Sequence, residues 1–341
     1  MQLYSPEGWL GVGNMFPHLQ TYTWIWGGRG IGKTYGFLRY VRYEQPTKFV
    51  LLRRTQTQLD LIRKPDMSPF KTVDRDQGQL TAVSSLDKYT LAFYDTQDGD
   101  PVGLPVGYGL ALSTLHNVRG IDLSDVDIVI YDEFVPEPHE RPIKNEYMAL
   151  LNALETIGRN RELQGRPPLR FVGLTNANQL GNPYFIGLGV VRQVDRMIKK
   201  SIEVWEDPER QLMLINVLRS PISAAKASTS LYRLAGDGEF AAMSLGNQFA
   251  ADRCTREGSM PLRELRPVVG VGELTIYRHK SQRTYYCTTH RSGTPEIYPA
   301  DHAGLQLFRR RYRGLWLQMM DNNIVYQDIY CEIMLRQYFG D

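Results

Sequence analysis

Long apolar runs are missing from this chain. No 18 consecutive apolar residues occur, so no membrane-spanning helix is expected. Cysteine is scarce, and the three residues Cys254, Cys287 and Cys331 lie far apart without metal-ligand spacing. That excludes a disulfide framework and a zinc site, and they read as reduced thiols of a cytosolic protein. The N-terminal "MQLYSPEGWL" has neither a basic nor an apolar signal region, so no signal peptide is expected. There is no excess of one charge: 40 basic residues face 37 acidic ones, for a formal charge of +3. Nucleic acid would therefore be a partner only where basic residues cluster. Repeats and low-complexity tracts are absent as well.

What is present points to a globular α/β protein. Hydrophobic residues make up 42% of 341 positions, enough for a real core and a length that suits about two domains. Segments 21–26, 48–54, 89–94, 107–112, 127–133 and 169–175 read as strands, several of them apolar on both faces. Such strands suit a mainly parallel sheet between helical layers. Helices are expected over 33–42 and 144–157. The expected division is a first domain over 1–205, a helical linker over 206–240 and a smaller α+β domain over 241–341.

The stretch "WIWGGRGIGKTYG" puts glycines and a lysine directly after a strand. Gly27, Gly28, Arg29, Gly30, Ile31, Gly32, Lys33 and Thr34 fit the G-x-x-x-x-G-K-[ST] phosphate-loop pattern without mismatch. A loop that wraps a phosphate must aim successive backbone N–H groups inward, which demands angles that glycine adopts freely. The helix beginning at Lys33 adds unpaired N–H groups and a partial positive charge. Lys33 would reach the β- and γ-phosphates of ATP, and the Thr34 hydroxyl would hold Mg²⁺. A glycine-rich turn that binds nothing would match by chance on the order of once in a hundred such chains.

"VDIVIYDEFVPE" places Asp132 and Glu133 at the end of an apolar strand. Asp132 has the position to hold the metal's water shell, and Glu133 to polarise an attacking water. That pairing favours ATP hydrolysis over phosphoryl transfer to a small acceptor. Taken alone, the pair is a common solvated strand end; its weight comes from the phosphate loop. Asn176, at the end of a later strand, could sense a γ-phosphate or simply form a turn. Arg29 and Arg159 could each supply positive charge to the transition state, and Arg159 reads equally well as a surface residue at a helix end. Arg53 and Arg54 fit either transmission of nucleotide state, a DNA contact, or ion pairing at a surface. Trp9 and Phe16 could flank adenine or belong to the core.

Together "GGRGIGKTYG", "IVIYDEFVPE", "ETIGRNREL", "LTNANQLGNPYF" and "MSLGNQFAAD" resemble the DNA encapsidation ATPases of φ29-like tailed phages, relatives of the large terminase subunits. The resemblance covers roughly residues 20 to 255. It implies a three-layer, ASCE-type P-loop ATPase domain and a C-terminal domain like a vestigial RNase H-type nuclease, without nuclease activity. It implies a ring, usually five-fold, on the portal of an empty procapsid, driving double-stranded DNA inward with ATP and Mg²⁺. A structural packaging RNA is a further implied partner. The expected location is the host cytoplasm, transiently on the portal vertex, with absence from the mature virion. Motif by motif, Lys33 and Thr34 take the Walker A roles, Asp132 and Glu133 the Walker B roles. Arg159 takes that of a finger entering the neighbouring subunit, and Arg29 that of the arginine such motors carry in the loop. The competing readings are a P-loop helicase of replication or recombination and a non-catalytic nucleotide-binding protein. The basic clusters 197–200 and 309–313 could contact DNA phosphates or be solvated helix faces.

Overall fold

Six consecutive buried residues, Leu212 to Val217, and five, Ile128 to Asp132, mark strands covered on both faces, the condition under which strands pair in parallel. The computed structural model describes all residues except 119–120, 137–139, 177–178, 219, 237, 239–253, 294 and 341. The chain forms two compact units, one of residues 1–188 and 196–250, the other of residues 189–195 and 251–341.

The strands of the first unit are β1 (Tyr22–Gly27), β2 (Phe49–Arg53), β3 (Thr81–Ser85), β4 (Leu91–Gln97), β5 (Asp100–Ala111), β6 (Ile128–Asp132), β7 (Arg170–Thr175), β8 (Val204–Asp207) and β9 (Leu212–Val217). They lie side by side in the order β3-β4-β5-β2-β6-β7-β1-β9-β8. From β5 to β9 every pairing is parallel. The outer strands β3, β4 and β8 run antiparallel to their neighbours. The sheet is thus mainly parallel with antiparallel edges.

Side chains alternate across this sheet, as the strand period requires. Ile25, Leu51, Ile130, Val172 and Ile215 join one core with Phe37 and Leu38 of the helix Lys33–Arg39. On the other face, Trp24 packs on Phe134 and Phe171 at 4.8 Å between ring centres, and on Tyr184 at 5.4 Å. Phe185 closes on Trp26 at 5.6 Å.

Leu212–Val217 lies outside the strands expected from the sequence, and its position corrects the expected boundary. It pairs with β1 over six residues, so this part of the segment 206–240 belongs to the sheet of the first unit. The polar stretch before it, which looked like a domain border, is the β8–β9 hairpin. The short helices Pro221–Ala227 and Ser230–Ala235 do match the helical reading of 220–240. The segment 243–252, "MSLGNQFAAD", lies outside the described residues.

The second unit holds β10 (Leu265–Val271), β11 (Leu274–His279), β12 (Tyr285–Thr288), β13 (Ile297–Tyr298) and β14 (Ile324–Tyr326), ordered β13-β10-β11-β12-β14. The helices His302–Arg311, Arg313–Met320 and Ile329–Phe339 complete an α+β unit. Among the described residues, no helix is long and apolar enough to cross a membrane.

Candidate nucleotide-binding site

Parallel strands deliver their last residues to one edge of the sheet. Here that edge gathers Gly27 from β1, Arg53 from β2, Asp132 from β6 and Asn176 just after β7. Clefts at such strand ends are where open α/β sheets bind ligands.

The loop Gly27–Thr34 leaves β1 and enters the helix Lys33–Arg39. Gly30 and Gly32 have φ of 66° and 87°, left-handed values that side-chain-bearing residues rarely adopt. Ile31 is buried, and its carbonyl accepts the Leu10 N–H at 3.0 Å, which braces the loop from outside. Lys33 is only 8% exposed. Its ammonium donates to the carbonyls of Gly27 at 2.9 Å and Gly28 at 2.8 Å and to Asn176 Oδ1 at 3.0 Å. Burial pushes this ammonium down to about 7; Asp132 pulls it up, and Lys226 and Arg29 push it further down. Negative charge brought beside Lys33 Nζ would favour its protonated form. The loop is therefore curled around a cation that is short of anionic partners.

The Thr34 hydroxyl donates to Asp132 Oδ1 at 2.7 Å. Two hard oxygen donors thus sit side by side at a helix N-terminus, a donor set that suits Mg²⁺. Thr34 and Asp132 are the residues that could hold it. Glu133 follows with φ of 56°, a left-handed value for a non-glycine residue. This turn ends the strand abruptly and sets the Glu133 side chain, 52% exposed, at the sheet edge beside Asp132. Backbone strain of this kind concentrates at functional positions.

Arg53 resolves one of the open readings. It donates to Asp132 Oδ2 at 2.5 Å and to Glu133 Oε2 at 3.1 Å, bridging both carboxylates. It belongs to the site, and a metal at Asp132 or a water at Glu133 would compete with its guanidinium. Arg54, the next residue, points away and is fully buried. It grips Glu146 at 2.6 and 3.0 Å, with the Arg141 carbonyl at 2.8 Å, fastening β2 to the start of the helix Glu146–Gly158. Tyr184 also donates to Glu146, at 2.9 Å. Without Glu146 the buried Arg54 guanidinium keeps, among the described residues, only the more distant carboxylate of Glu140, at 3.3 Å. Glu146→Ala is expected to lower unfolding free energy by about 3–5 kcal/mol in urea titration. Arg54→Met with Glu146→Leu should recover most of that. A loss below about 1 kcal/mol in the single variant would show that the pair does not anchor the helix.

Arg159 lies elsewhere. It caps the helix Glu146–Gly158 with φ of 47°, and contacts the Ile121 carbonyl at 3.2 Å and Asp122 at 3.5 Å. A cavity of about 420 Å³ beside it is lined by Tyr22, Leu169 and Leu212, at the beginnings of β1, β7 and β9. Arg159 is therefore at the opposite edge of the sheet from its own phosphate loop, a strand length or roughly 17 Å away. The aromatics separate likewise. Trp9, 44% exposed, rests over the loop at Gly32. Phe16 packs against Tyr40 with tilted rings 4.3 Å apart, under Arg170, the first residue of β7, and so lies away from it.

Sequence reading missed Lys226. It reaches in from the helix Pro221–Ala227 and donates to the Arg29 carbonyl at 2.5 Å. No local pattern ties it to a loop 197 residues earlier.

The model of the podovirus DNA encapsidation protein (Gp16) family matches residues 11–257. The chain belongs to that family. The DNA packaging proteins of Bacillus phages PZA and phi29 are each 28% identical to it over 256 residues, 73% of this chain. The chain spans 66% of the length of these curated relatives. The packaging protein of Bacillus phage B103 is 26% identical over 244 residues. Among solved structures, the bacteriophage Phi-29 viral genome packaging motor assembly matches with a TM-score of 0.65 at 16% identity, covering 99% of both chains. The Phi-28 gp11 DNA packaging motor matches with a TM-score of 0.63 at 18% identity, covering 98% of both. At these identities the likeness speaks for the fold of family members, over both units of this chain.

Proposed function

We propose that this chain is the ATPase of a viral DNA packaging motor: it hydrolyses ATP to drive double-stranded DNA into a preformed procapsid through the portal. One observation carries the chemical half of this reading. Thr34 and Asp132, 98 residues apart, meet at 2.7 Å next to the buried Lys33. Membership of the encapsidation family carries the biological half.

In this reading the β- and γ-phosphates of ATP lie against the backbone N–H groups of residues 28–34, beside Lys33 and Arg29. Mg²⁺ held at Thr34 and Asp132 would neutralise phosphate charge when bound. Glu133 accepts a proton from the attacking water, once Arg53 releases it. Asn176, already hydrogen-bonded to Lys33, orients that lysine or the terminal phosphate. Trp9, which lies against the loop at Gly32, would border the base. Arg159 serves the site of a neighbouring copy in a homo-oligomeric ring, for which five-fold symmetry and a bridging packaging RNA are the family expectation. The motor acts in the host cytoplasm, on the portal vertex.

The second unit is proposed to be nuclease-like in shape only. Four of its acidic residues have structural partners: Glu273 with Tyr330, Glu296 with Arg311, Asp301 and Asp328 as helix caps. In the basic segment 309–313, Arg309 donates to the Tyr338 carbonyl and Arg311 pairs with Glu296. Phosphate contacts there would fall to the exposed Arg310 and Arg313.

The test is a packaging reaction with portal-bearing procapsids, the purified chain, Mg²⁺, ATP and linear duplex. ATP-dependent protection of the DNA from nuclease is expected, with no separation of a forked duplex. Strand separation without protection would favour a helicase. No phosphate release in the complete mixture would leave a nucleotide-binding protein that does not hydrolyse.

A further inference from the structure

We infer that Lys226 is a second phosphate-binding lysine, supplied by the helix Pro221–Ala227, through which bound nucleotide pins that helix to the phosphate loop. The inference rests on the nucleotide reading of the loop and adds to it a residue from a segment without any motif. Lys226 Nζ lies 2.5 Å from the Arg29 carbonyl, and a Cβ built on Gly30 would come within 2.7 Å of it. The ammonium therefore sits on the loop itself. Its position is fixed by the start of its helix, where the buried Ser220 hydroxyl donates to the Gly8 carbonyl at 2.8 Å.

The charges around the loop argue that this ammonium has a ligand to meet. Its partners are the Arg29 carbonyl and the face of the Tyr232 ring at 5.7 Å, neither of them a carboxylate. Lys33, Lys226 and Arg53 converge on a region where, among the described residues, the acids acting on Lys33 are Asp132 and Glu133, and Arg53 already bridges both. Three cations beside two carboxylates leave an excess of positive charge, which a triphosphate would balance. With nucleotide present, Lys226 exchanges the Arg29 carbonyl for a phosphate oxygen, a stronger charge-assisted bond. The helices Pro221–Ala227 and Ser230–Ala235 then become tied to nucleotide occupancy.

The experiment compares the full chain with Lys226→Met, Lys226→Arg and Lys33→Ala, using ATPγS with Mg²⁺ in calorimetry and hydrogen exchange over residues 221–235. Lys226→Met is expected to weaken ATPγS about tenfold with nucleotide-free melting unchanged, and Lys226→Arg to restore most of the affinity. Nucleotide should slow exchange over 221–235 in the unaltered chain and not in Lys226→Met. Binding within about twofold of the unaltered chain would overturn the inference. So would a loss that comes with a lower melting temperature and is not restored by arginine, since Lys226 would then be only a staple on the loop. Lys33→Ala separates the two levels. If it binds ATPγS normally, the nucleotide reading itself fails; if Lys33→Ala loses binding and Lys226→Met keeps it, the nucleotide reading stands and the inference about Lys226 alone fails.

Discussion

Glu133→Gln should abolish turnover and leave binding intact. The expected fall in kcat is about 10²- to 10⁴-fold, the usual contribution of a positioned general base. Glutamine keeps the size and one hydrogen-bonding oxygen of the side chain but cannot accept the water's proton. The backbone at this position, with φ of 56°, is set by the turn out of β6 and not by the carboxylate. The Phe134 N–H still meets the Leu174 carbonyl at 3.2 Å, so the variant should fold. Arg53 would keep its bond to Asp132 at 2.5 Å and lose only the weaker ion pair to Glu133 at 3.1 Å. ATP affinity is therefore expected to stay level or to rise slightly as Arg53 is drawn off less strongly. Asp132→Asn makes the contrast: it should weaken Mg²⁺-dependent binding, because one of the two oxygen donors near Thr34 loses its charge. Single-turnover kinetics with radiolabelled ATP would read both. Normal turnover in Glu133→Gln would remove Glu133 from the chemistry and move attention to Asn176 as the residue that orients water.

The parts of this site that were legible beforehand are those whose chemistry demands neighbours in sequence. A phosphate loop needs its glycines, lysine and hydroxyl within eight positions, after a strand and before a helix. The acidic pair needs an apolar strand directly before it. Gly27–Thr34 and Asp132–Glu133 satisfied both demands, and the strand order brought them to one edge. What stayed hidden depends on contacts across long separations. Arg53 and Arg54 are adjacent, and "VLLRRTQ" treats them alike; one meets Asp132, the other Glu146, because successive side chains on a strand point to opposite faces. A fully buried arginine runs against the composition of protein cores, so nothing local announces it. Leu212–Val217 escaped notice for another reason. A short apolar run after a polar hairpin looks like the start of something new, and only its pairing with β1 shows that it completes the old sheet. Lys226 follows from that correction, since the helix carrying it starts just beyond β9.

Two inactive variants should make one active ring. Arg159→Ala alone is expected to reduce kcat about 10³- to 10⁵-fold, the range associated with an arginine finger. Its own fold should survive, because the pair it makes with Asp122 is exposed on both sides, at 50% and 70%, and such pairs add little. The geometry separates it from its own loop: Arg159 stands where β1, β7 and β9 begin, and the glycine-rich loop stands where β1 ends. In the proposed reading it serves a triphosphate at the strand-end edge of another copy, in a head-to-tail contact of the kind that generates a closed ring. Mixing Arg159→Ala with Glu133→Gln subunits puts this to work. In a mixed ring, an Arg159→Ala subunit keeps an intact Glu133 and receives an intact arginine from a Glu133→Gln neighbour. Random mixing in equal parts would complete roughly a quarter of the sites. Phosphate release should therefore reappear in the mixture on procapsids, though neither variant shows it alone. If arginine acted within its own subunit, every subunit in the mixture would still lack one essential group, and the mixture would stay as silent as its components.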